Sequence, residues 1–322
     1  MLAYFMRVLL PSTTRGLQRP DVILGSSVHP LAAAAGRLLA QRFRVPFVFE
    51  VRDLWPQTLI DMGAISANGL PAKLMRSMER WLYRHADRII VLLPKADDYL
   101  VPLGIARERI IYIPNGVEIA ERPGPAKASG AKFTLMYLGA HGQANGLHTL
   151  LEAMDVLRAQ GHERNIQLRM IGDGPLKAEL AAAAKAMGLT NISFEAAVPK
   201  SCTPEIAAQA DAFVIVVRNL PNLYRFGISP NKLFDYMAAE RPTILAAAVP
   251  DNLIDKAGAG MTVPPDDPRA LAAGILKMAS LPDEERACMG RAGRAYVETH
   301  HSYQALAKRL ANVLDDVVAR CK

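Results

Sequence analysis

The stretch SPNKLFDYM, residues 229–237, carries side chains suited to binding a ligand with phosphates at one end and hydroxyls further along. Ser229 is a residue type that caps helices, and Pro230 is favoured at a first helical position. The free backbone N–H groups of such a start bind anions, with help from the helix dipole. Lys232 adds a cation. Asp235 follows three residues later on roughly the same side of the helix, and its carboxylate is suited to accept hydrogen bonds from two neighbouring hydroxyls of a ligand. The predicted nucleotide ligands here are Ser229, Pro230, Asn231, Lys232, Leu233 and Asp235; the alternative is a well-capped surface helix.

Two glycine-containing turns follow predicted strands in the same half of the chain, GAHGQANG (139–146) and IGDGP (171–175). Glycine allows a backbone to approach a ligand closely, and His141 is a candidate donor to a phosphate or carbonyl. Open α/β sheets bind ligands at the carboxyl ends of their strands. The turns therefore predict a nucleotide-like site, although ordinary strand-to-helix turns have the same composition. Together with one later residue, the candidates are Gly139, His141, Gly142, Asn145, Gly172, Asp173, Gly174 and Val198.

A third candidate position lies in the first half of the chain, in EVRDLWP (50–56). Arg52 and Asp53 follow directly after the apolar residues of a predicted strand. A charged pair at this point is predicted to line a cleft between domains, on the acceptor side. The alternative is an ion pair that closes the strand.

A basic stripe is predicted on the helix 73–86, where Arg76, Arg80 and Arg84 recur at a spacing of four, with Trp81 beside them. The net charge of +7 is concentrated early, because residues 1–120 hold 15 Lys and Arg against 10 Asp and Glu. Such a stripe suits anionic lipid headgroups, the alternative being a solvated helix face. Nucleic acid is a poor candidate partner, because Phe, Trp and Tyr make up only 6% and no binding motif occurs.

Several classes of site are disfavoured by what the sequence lacks. The three cysteines, Cys202, Cys288 and Cys321, have no metal-ligand spacing and indicate a reduced, cytoplasmic setting. No HExxH motif, GxSxG elbow or Asp-x-Asp pair occurs, so no bound metal or cofactor is predicted. The apolar stretch MLAYFMRVLLP at residues 1–11 is too short to span a bilayer.

Apolar strands alternate with helical patterns along the whole chain, which predicts an α/β fold of two doubly wound parallel sheets. We expect an N-terminal domain over residues 1–120, a linker at 121–132, a C-terminal domain over 133–300 and a final helical segment at 301–322 that crosses back. The first domain is expected to be incomplete at its N-terminus, because no strand and glycine-rich turn precede Asp21. The predicted strands are 21–27, 46–53, 88–93, 109–117, 133–140, 166–174, 191–196, 212–217 and 242–247.

The ordered motifs of residues 20–322 resemble family 4 of the retaining glycosyltransferases, which have the GT-B fold. The resemblance is closest to the branch that serves O-antigen, colanic-acid and capsule assembly, including fucosamine-transferase-like members. It implies that the C-terminal domain holds a nucleotide sugar, usually UDP-linked, and that the N-terminal domain holds an acceptor, often polyprenyl-diphosphate-linked, at the inner membrane face. It also implies transfer with retention, without a metal or other cofactor. The motifs are DVILGSS, PFVFEVRDLWP, ERWLYRHADRIIVL, IPNGVE, GAHGQANGL, IGDGPLK, FGISPNKLFDYMAAERP and GAGMTVPP.

The resemblance assigns roles to particular residues. Asp235 matches the second acid of the Glu-x7-Glu motif, which holds the ribose, whereas the position of the first acid is Gly227. The usual phosphate-binding Arg and Lys after the first C-domain strand are replaced by Gln143 and Asn145. Lys232 and Arg225 are therefore the expected ligands of the departing diphosphate.

Two further positions depart from the family pattern. Many members carry a histidine where this chain has Arg52, beside Asp53, and we include Asp53 among the catalytic candidates with Lys232 and Arg225. Glu240 stands where the family usually has glycine after a helix. Because a side chain disfavours positive φ, this helix is expected to end differently.

The leading hypothesis is a retaining glycosyltransferase that transfers a hexosyl or N-acetylhexosaminyl group. A nucleotide-sugar 2-epimerase of the same fold is one alternative, and a catalytically impaired paralogue that only binds nucleotide is another.

Overall fold

The structure is a computed structural model that describes residues 2–27, 29–119 and 132–320. Most of the predicted linker, residues 121–132, lies outside the described residues. The strands are β1 Ile23–Ser26, β2 Phe47–Val51, β3 Arg88–Val91, β4 Ile110–Tyr112, β5 Phe133–Leu138, β6 Ile166–Ile171, β7 Ile192–Glu195, β8 Ala212–Val216, β9 Thr243–Ala246 and β10 Gly260–Val263. The helices are α1 Leu2–Leu9, α2 Pro11–Thr14, α3 Pro30–Phe43, α4 Gln57–Asp61, α5 Leu70–His85, α6 Asp97–Leu100, α7 Leu147–Ala159, α8 Lys177–Ala186, α9 Thr203–Ala207, α10 Pro221–Tyr224, α11 Asn231–Ala238, α12 Leu253–Ala257, α13 Pro268–Ser280, α14 Asp283–His300 and α15 Tyr303–Ala319.

The strands form two parallel sheets, which confirms the predicted α/β fold of two Rossmann-like domains. The chain divides into two compact units around them. The first unit comprises Met1–Asn115, Leu220–Ser229 and Gln304–Lys322, and the second comprises Gly116–Asn219 and Pro230–Tyr303. The sequence analysis placed residues 220–229 in the C-terminal domain. In the structure this segment, Leu220–Ser229, follows β8 but groups with the first unit.

The first sheet has the order β1-β2-β3-β4, and successive residues of its strands face opposite sides. On one side, Phe47 and Phe49 pack in a core with residues of α3 and α5. On the other side, Val48 and Ile90 pack against α15. The C-terminal helix therefore covers a face of this sheet that would otherwise expose its apolar side chains to water.

The helix α1 packs against α3, with Phe5 in contact with the core of the first unit. Its side chains Leu2, Tyr4 and Met6 are exposed. Among the described residues, no helix has both the length and the apolar composition that crossing a bilayer requires.

The second sheet has the order β10-β9-β8-β5-β6-β7, so the chain winds in opposite directions from the neighbouring strands β5 and β8. This reversal creates a crevice at their carboxyl ends, where doubly wound sheets bind ligands. The helix α11 is anchored beside it. The ring of Tyr236 stacks on Phe213 at 4.0 Å, and its hydroxyl accepts from the Leu138 N–H at 2.8 Å and donates to the Leu138 carbonyl at 2.9 Å. These contacts place the first turn of α11 next to the end of β5.

The two ends of α11 differ from the sequence-based expectations. The helix begins at Asn231 with Pro230 as its N-cap and no side-chain cap, so the prediction that Ser229 caps it is wrong. At the other end, Glu240 has a φ of 59°, so the expectation that the helix avoids a positive φ is also wrong. The guanidinium of Arg294 on α14 donates to the Ala238 carbonyl at 3.1 Å, and packing of α14 against this helix end stabilises the unfavourable conformation.

Candidate functional site

Lys232 lies at the crevice of the second unit, on the first turn of α11. Its ammonium group donates to the hydroxyl of Tyr137 at 2.7 Å and to the side-chain oxygen of Asn145 at 2.8 Å. It also lies 4.5 Å from the centre of the Tyr137 ring. The structure therefore brings together three residues from β5, the turn after it and α11, two of which the sequence analysis selected.

Lys232 forms no ion pair with an acidic side chain of the described residues. Burial lowers the pKa of its ammonium group to about 8. A partly desolvated cation held only by neutral oxygens favours an anion as its missing partner.

The two glycine turns pair with each other. The N–H of Gly139 donates to the Ile171 carbonyl at 2.9 Å, and the N–H of His141 donates to the Asp173 carbonyl at 2.8 Å. A Cβ on Gly174 would lie 2.6 Å from the His141 carbonyl oxygen, and one on Gly172 would lie 2.0 Å from that of Gly139. These two glycines are thus required for the close approach of two loops, a role that their sequence pattern does not distinguish from ligand binding.

The remaining turn residues support the same local structure. The carboxylate of Asp173 accepts from the N–H of Gly174 at 2.8 Å. Gly142 precedes a short 3-10 turn over Gln143–Asn145, and the Asn145 side-chain amide donates to the Ala140 carbonyl at 2.9 Å. Asn145 therefore links the turn to Lys232, because its amide group contacts both.

His141 is completely buried, between the rings of Tyr137 at 5.7 Å and Phe194 at 6.3 Å. Burial, followed by the nearby charge of Lys177, lowers the pKa of its imidazole. Neither ring nitrogen has a hydrogen-bond partner among residues 2–27, 29–119 and 132–320. The imidazole is therefore neutral near pH 7, and its proposed role as a donor to a ligand remains a prediction.

Asp235 lies one turn after Lys232 and forms a salt bridge with Lys200. A cavity of about 400 Å³ opens beside this pair and is lined by both side chains and by apolar residues of α9 and α11, among them Pro204, Ala207 and Ala238. Val198 is half-buried and precedes the 3-10 turn that carries Lys200. The structure thus brings Asp235 into contact with a cation that the sequence analysis did not select.

The other predicted ligands of α11 differ in their exposure. Asn231 is exposed at the helix start, whereas the side chain of Leu233 is buried in the core. The N–H of Leu233 donates to the Pro230 carbonyl at 3.0 Å, so it is not one of the free N–H groups of the helix start.

Four predicted site residues belong to the first unit, namely Arg52, Asp53, Arg225 and Ser229. Arg52 and Asp53 are exposed after β2, and the backbone N–H of Arg52 donates to the Ser27 hydroxyl at 3.1 Å. No salt bridge joins Arg52 to Asp53 in the described structure, which argues against the ion-pair alternative.

Ser229 and Arg225 lie in the segment Leu220–Ser229. The Ser229 hydroxyl accepts from the backbone N–H of Asn115 at 3.3 Å, and the Asn115 side-chain amide donates to the Ser229 carbonyl at 2.7 Å. The guanidinium of Arg225 lies 4.7 Å from the centre of the Phe226 ring. Gly227 has a φ of 93°, which explains why glycine suits the position at which the resembled family carries an acid.

Sequence reasoning missed Tyr137, Tyr236 and Lys200. A tyrosine in an apolar strand or helix is usually interpreted as a core residue. Its hydroxyl nevertheless needs a hydrogen-bond partner when it is buried. That requirement was the available signal for Tyr137, whereas Lys200 has no local pattern that distinguishes it from other surface lysines. Among the described residues, no group of three or more His, Cys, Asp and Glu side chains is placed to hold a metal ion.

Two family models match the chain in tandem. Residues 1–116 match the glycosyl transferase 4-like domain, and residues 132–280 match the glycosyl transferases group 1. WcaI of Escherichia coli K12, named for glycosyl transfer in colanic acid biosynthesis, is 25% identical over 281 residues, which cover 82% of this chain and 67% of WcaI. WbjE of Pseudomonas aeruginosa, named as a glycosyltransferase, is 23% identical over 324 residues, which cover 97% of this chain and 78% of WbjE.

Solved structures share the fold. Sucrose-phosphate synthase from Thermosynechococcus elongatus superposes with a TM-score of 0.72 at 19% identity, over 93% of this chain and 74% of the synthase. HepE of Anabaena, solved with UDP-glucose, superposes with a TM-score of 0.69 at 15% identity, over 92% of this chain and 79% of HepE. The tandem domains and the two parallel-sheet units agree: the chain is a glycosyltransferase that carries a glycosyl transferase 4-like domain and a glycosyl transferases group 1 domain in the GT-B fold.

Proposed function

We propose that this glycosyltransferase moves a sugar from a UDP-linked donor to a glycan or lipid-linked acceptor in the synthesis of a bacterial surface polysaccharide. The observation that carries the proposal is the position of Lys232 at the crevice between β5 and β8, as a partly buried cation that has no acidic partner among the residues that the structure describes. The diphosphate of a nucleotide sugar supplies the anion that this cation lacks. The UDP-glucose complex of HepE supports the class of donor, and the name of WcaI, which refers to colanic acid biosynthesis, supports the pathway. The name of WbjE supports glycosyl transfer.

In the proposed reaction the anomeric configuration is retained. The bond from the anomeric carbon to the diphosphate oxygen breaks, and the acceptor hydroxyl forms its bond on the same face. The acceptor proton passes to an oxygen of the departing diphosphate. Lys232 stabilises the developing negative charge, which is the main contribution that the protein makes to such a step. No metal or other cofactor takes part in this proposal.

Asp235 is proposed to accept hydrogen bonds from the two ribose hydroxyls. The adjacent cavity of about 400 Å³ has room for the base, and its apolar walls suit a planar ring. In the structure, the ammonium group of Lys200 contacts one carboxylate oxygen of Asp235, so a ribose bound there competes with a surface salt bridge. Such a bridge contributes at most about 1 kcal/mol and is easily replaced.

Isothermal titration with UDP tests these assignments. We expect Asp235→Ala to weaken UDP binding at least about tenfold, because two charge-assisted hydrogen bonds are lost. Lys200→Ala is the matched control and is expected to leave the dissociation constant within about threefold, or to lower it, because the salt bridge no longer competes. Equal weakening by both substitutions would assign the pair a structural role, and no binding of UDP by the wild type would reject the proposed donor.

The acceptor is proposed to be linked to a polyprenyl diphosphate at the cytoplasmic face of the inner membrane, where the protein binds peripherally. The predicted arginine stripe is only partly available, because Arg76 donates to the Ala67 carbonyl. Arg88, which follows the helix, pairs with Asp316. The exposed residues of α5 are apolar at its start and basic further along, an arrangement that suits an anionic lipid surface. They include Leu70, Lys73, Leu74, Arg80 and Arg84.

Co-sedimentation with lipid vesicles tests the membrane proposal. We expect the protein to bind phosphatidylglycerol vesicles at low salt and to be released at about 0.5 M salt, because screening weakens the attraction of surface charges. Arg80→Glu combined with Arg84→Glu is expected to abolish binding. Binding that is unchanged by this double substitution would exclude α5 as the contact surface.

A further inference from the structure

The ammonium group of Lys232 has three N–H donors, and two of them are bound inside the second unit. One donates to the hydroxyl oxygen of Tyr137 at 2.7 Å, and another donates to the side-chain oxygen of Asn145 at 2.8 Å. Among the described residues this ammonium group has no third acceptor. Because the three N–H groups have a fixed geometry, the two oxygens set the direction of the remaining one.

A single backbone carbonyl orients both of these oxygens. The hydroxyl of Tyr137 donates to the Ala140 carbonyl at 2.6 Å, and the side-chain amide of Asn145 donates to the same carbonyl at 2.9 Å. A phenol has one proton, so a hydroxyl that donates to Ala140 offers only a lone pair to Lys232. The nitrogen of the Asn145 amide faces the carbonyl, which leaves its oxygen for the ammonium group. Both side chains are therefore oriented to accept from a cation.

The Ala140 carbonyl lies in a turn that the second sheet holds in place. The residues before and after Ala140 donate their backbone N–H groups, at 2.9 and 2.8 Å, to carbonyls at the end of β6 and in the turn that follows it. The side chain of Tyr137 is fully buried. The carbonyl and the two oxygens thus have little freedom to move when a ligand arrives, which is the condition for preorganised stabilisation of charge.

We propose that Tyr137 and Asn145 are positioning residues, which hold two N–H groups of Lys232 and direct the third at the diphosphate of the donor. This role depends on the proposed function only for the presence of a diphosphate at the crevice. Neither side chain needs to touch the donor. Loss of either oxygen leaves the ammonium group free to turn and removes an acceptor that stabilises its charge, so the affinity for an anion falls.

Loss of an acceptor also changes the pH at which Lys232 loses its charge. Burial lowers the pKa of the ammonium group to about 8. The two oxygens favour the charged form, so we expect removal of one of them to lower this pKa further, to about 7. Wild-type affinity for an anion is therefore expected to fall as pH rises through 8, and the affinity of a variant without one oxygen is expected to fall at lower pH.

Other titratable groups surround this network. Burial raises the pKa of the Tyr137 hydroxyl and lowers the pKa of His141, so both are neutral at pH 7 and above. A pH-dependent change in affinity that requires Tyr137 or Asn145 therefore reports on the charge of Lys232. The charged neighbours have partners of their own, because Asp235 pairs with Lys200, Asp173 accepts from the Gly174 N–H, and Lys177 donates to the carbonyls of Gly172 and Glu195.

Isothermal titration of the full chain with UDP at pH 7 and pH 8.5 tests the positioning role. The measured quantity is the ratio of a variant's dissociation constant to that of the wild type, because the titration of UDP itself cancels in this ratio. For Tyr137→Phe we expect the ratio to rise from about 5 at pH 7 to about 20 at pH 8.5. In the Lys232→Met background, Tyr137→Phe is expected to change the dissociation constant by less than about twofold, because the hydroxyl then has no ammonium group to hold.

Asn145→Ala removes the other oxygen from a half-buried turn residue and keeps the role testable if Tyr137→Phe does not fold. Its ratio is expected to rise with pH in the same way. Tyr83→Phe is the matched control, because it also removes a buried tyrosine hydroxyl, one that donates to Glu79. Its dissociation constant is expected to stay within about twofold of the wild-type value at both pH values.

A ratio that does not change with pH overturns the positioning role of the residue concerned, and wild-type affinity at both pH values does the same. An equal loss of affinity from Tyr137→Phe in the wild-type and Lys232→Met backgrounds also overturns it, because the hydroxyl would then act without Lys232. Absence of UDP binding by the wild type, or wild-type affinity in Lys232→Met, overturns the role by removing its premise and identifies a failure of the proposed function.

Discussion

Lys232→Met is expected to lower sugar transfer about 10²- to 10³-fold, which is the range observed when one preorganised charge-stabilising group is removed. The reason is that Lys232 is the cation that the second unit places at its crevice, with Tyr137 and Asn145 as its only hydrogen-bond acceptors in the described structure. Methionine fills a similar volume without a charge. Release of UDP from UDP-glucose and UDP-N-acetylglucosamine, in the presence and absence of acceptor, measures the effect.

The same substitution is expected to stabilise the protein at pH 7. Burial lowers the pKa of the Lys232 ammonium from 10.5 to about 8. A shift of this size corresponds to roughly 3 kcal/mol, and the loss of two hydrogen bonds offsets part of it, so a net gain of about 1 kcal/mol is expected. Between pH 8 and 10.5 the unfolded chain binds more protons than the folded chain, and wild-type stability therefore rises with pH in this window.

Urea unfolding at pH 7 and pH 9.5 separates these effects. The wild type should gain stability between the two values relative to Lys232→Met, because only the wild type carries the buried ammonium group. Lys185→Met removes an exposed lysine of α8 and is the matched control, with transfer and stability both unchanged. Normal transfer by Lys232→Met would overturn the assignment, even if the stability prediction held.

Glu79→Gln is expected to raise the free energy of unfolding at pH 8 by about 1–2 kcal/mol and to leave it nearly unchanged at pH 5. Burial raises the pKa of Glu79 to about 7, despite the hydrogen bonds from Tyr83 and Tyr99 and the nearby charges of Arg80 and Arg76. The folded chain thus holds a proton that the unfolded chain releases near pH 4.5. Stability falls as pH rises from about 4.5 to 7, and a neutral amide removes this loss.

Urea midpoints of wild type and Glu79→Gln at pH 5, 6, 7 and 8 measure the difference. The full shift corresponds to roughly 3 kcal/mol, and the smaller expected gain allows for the imperfect geometry of an amide between two tyrosines. Glu108→Gln changes an exposed glutamate in the same unit and should shift neither midpoint. A difference between wild type and Glu79→Gln that does not change with pH would show that Glu79 is already ionised at pH 5.

Much of the fold was predictable because its signals are local. The helix α3 begins at Pro30 and α13 begins at Pro268, which are first helical positions that proline favours, and Asp267 caps α13 by accepting from the Ala270 N–H at 2.9 Å. The apolar strand runs needed only their length and the turns between them. Contacts between distant residues were not predictable in this way. The Ser229 hydroxyl bonds to Asn115, which is 114 residues earlier in the chain, instead of capping the helix that follows it.

The sequence by itself determined the alternation of strands and helices, the family pattern and the spacing of Lys232 and Asp235 on one helix, because each depends on residues that are close in the chain. Only the tertiary structure decided which of these groups are buried, which are paired and which retain an unbalanced charge. It buried His141 between two rings, paired Asp235 with Lys200 and gave Lys232 no acidic partner within the described part of the chain. Those outcomes depend on segments from different strands and helices meeting in space, and burial and pairing are what set the pKa of each group.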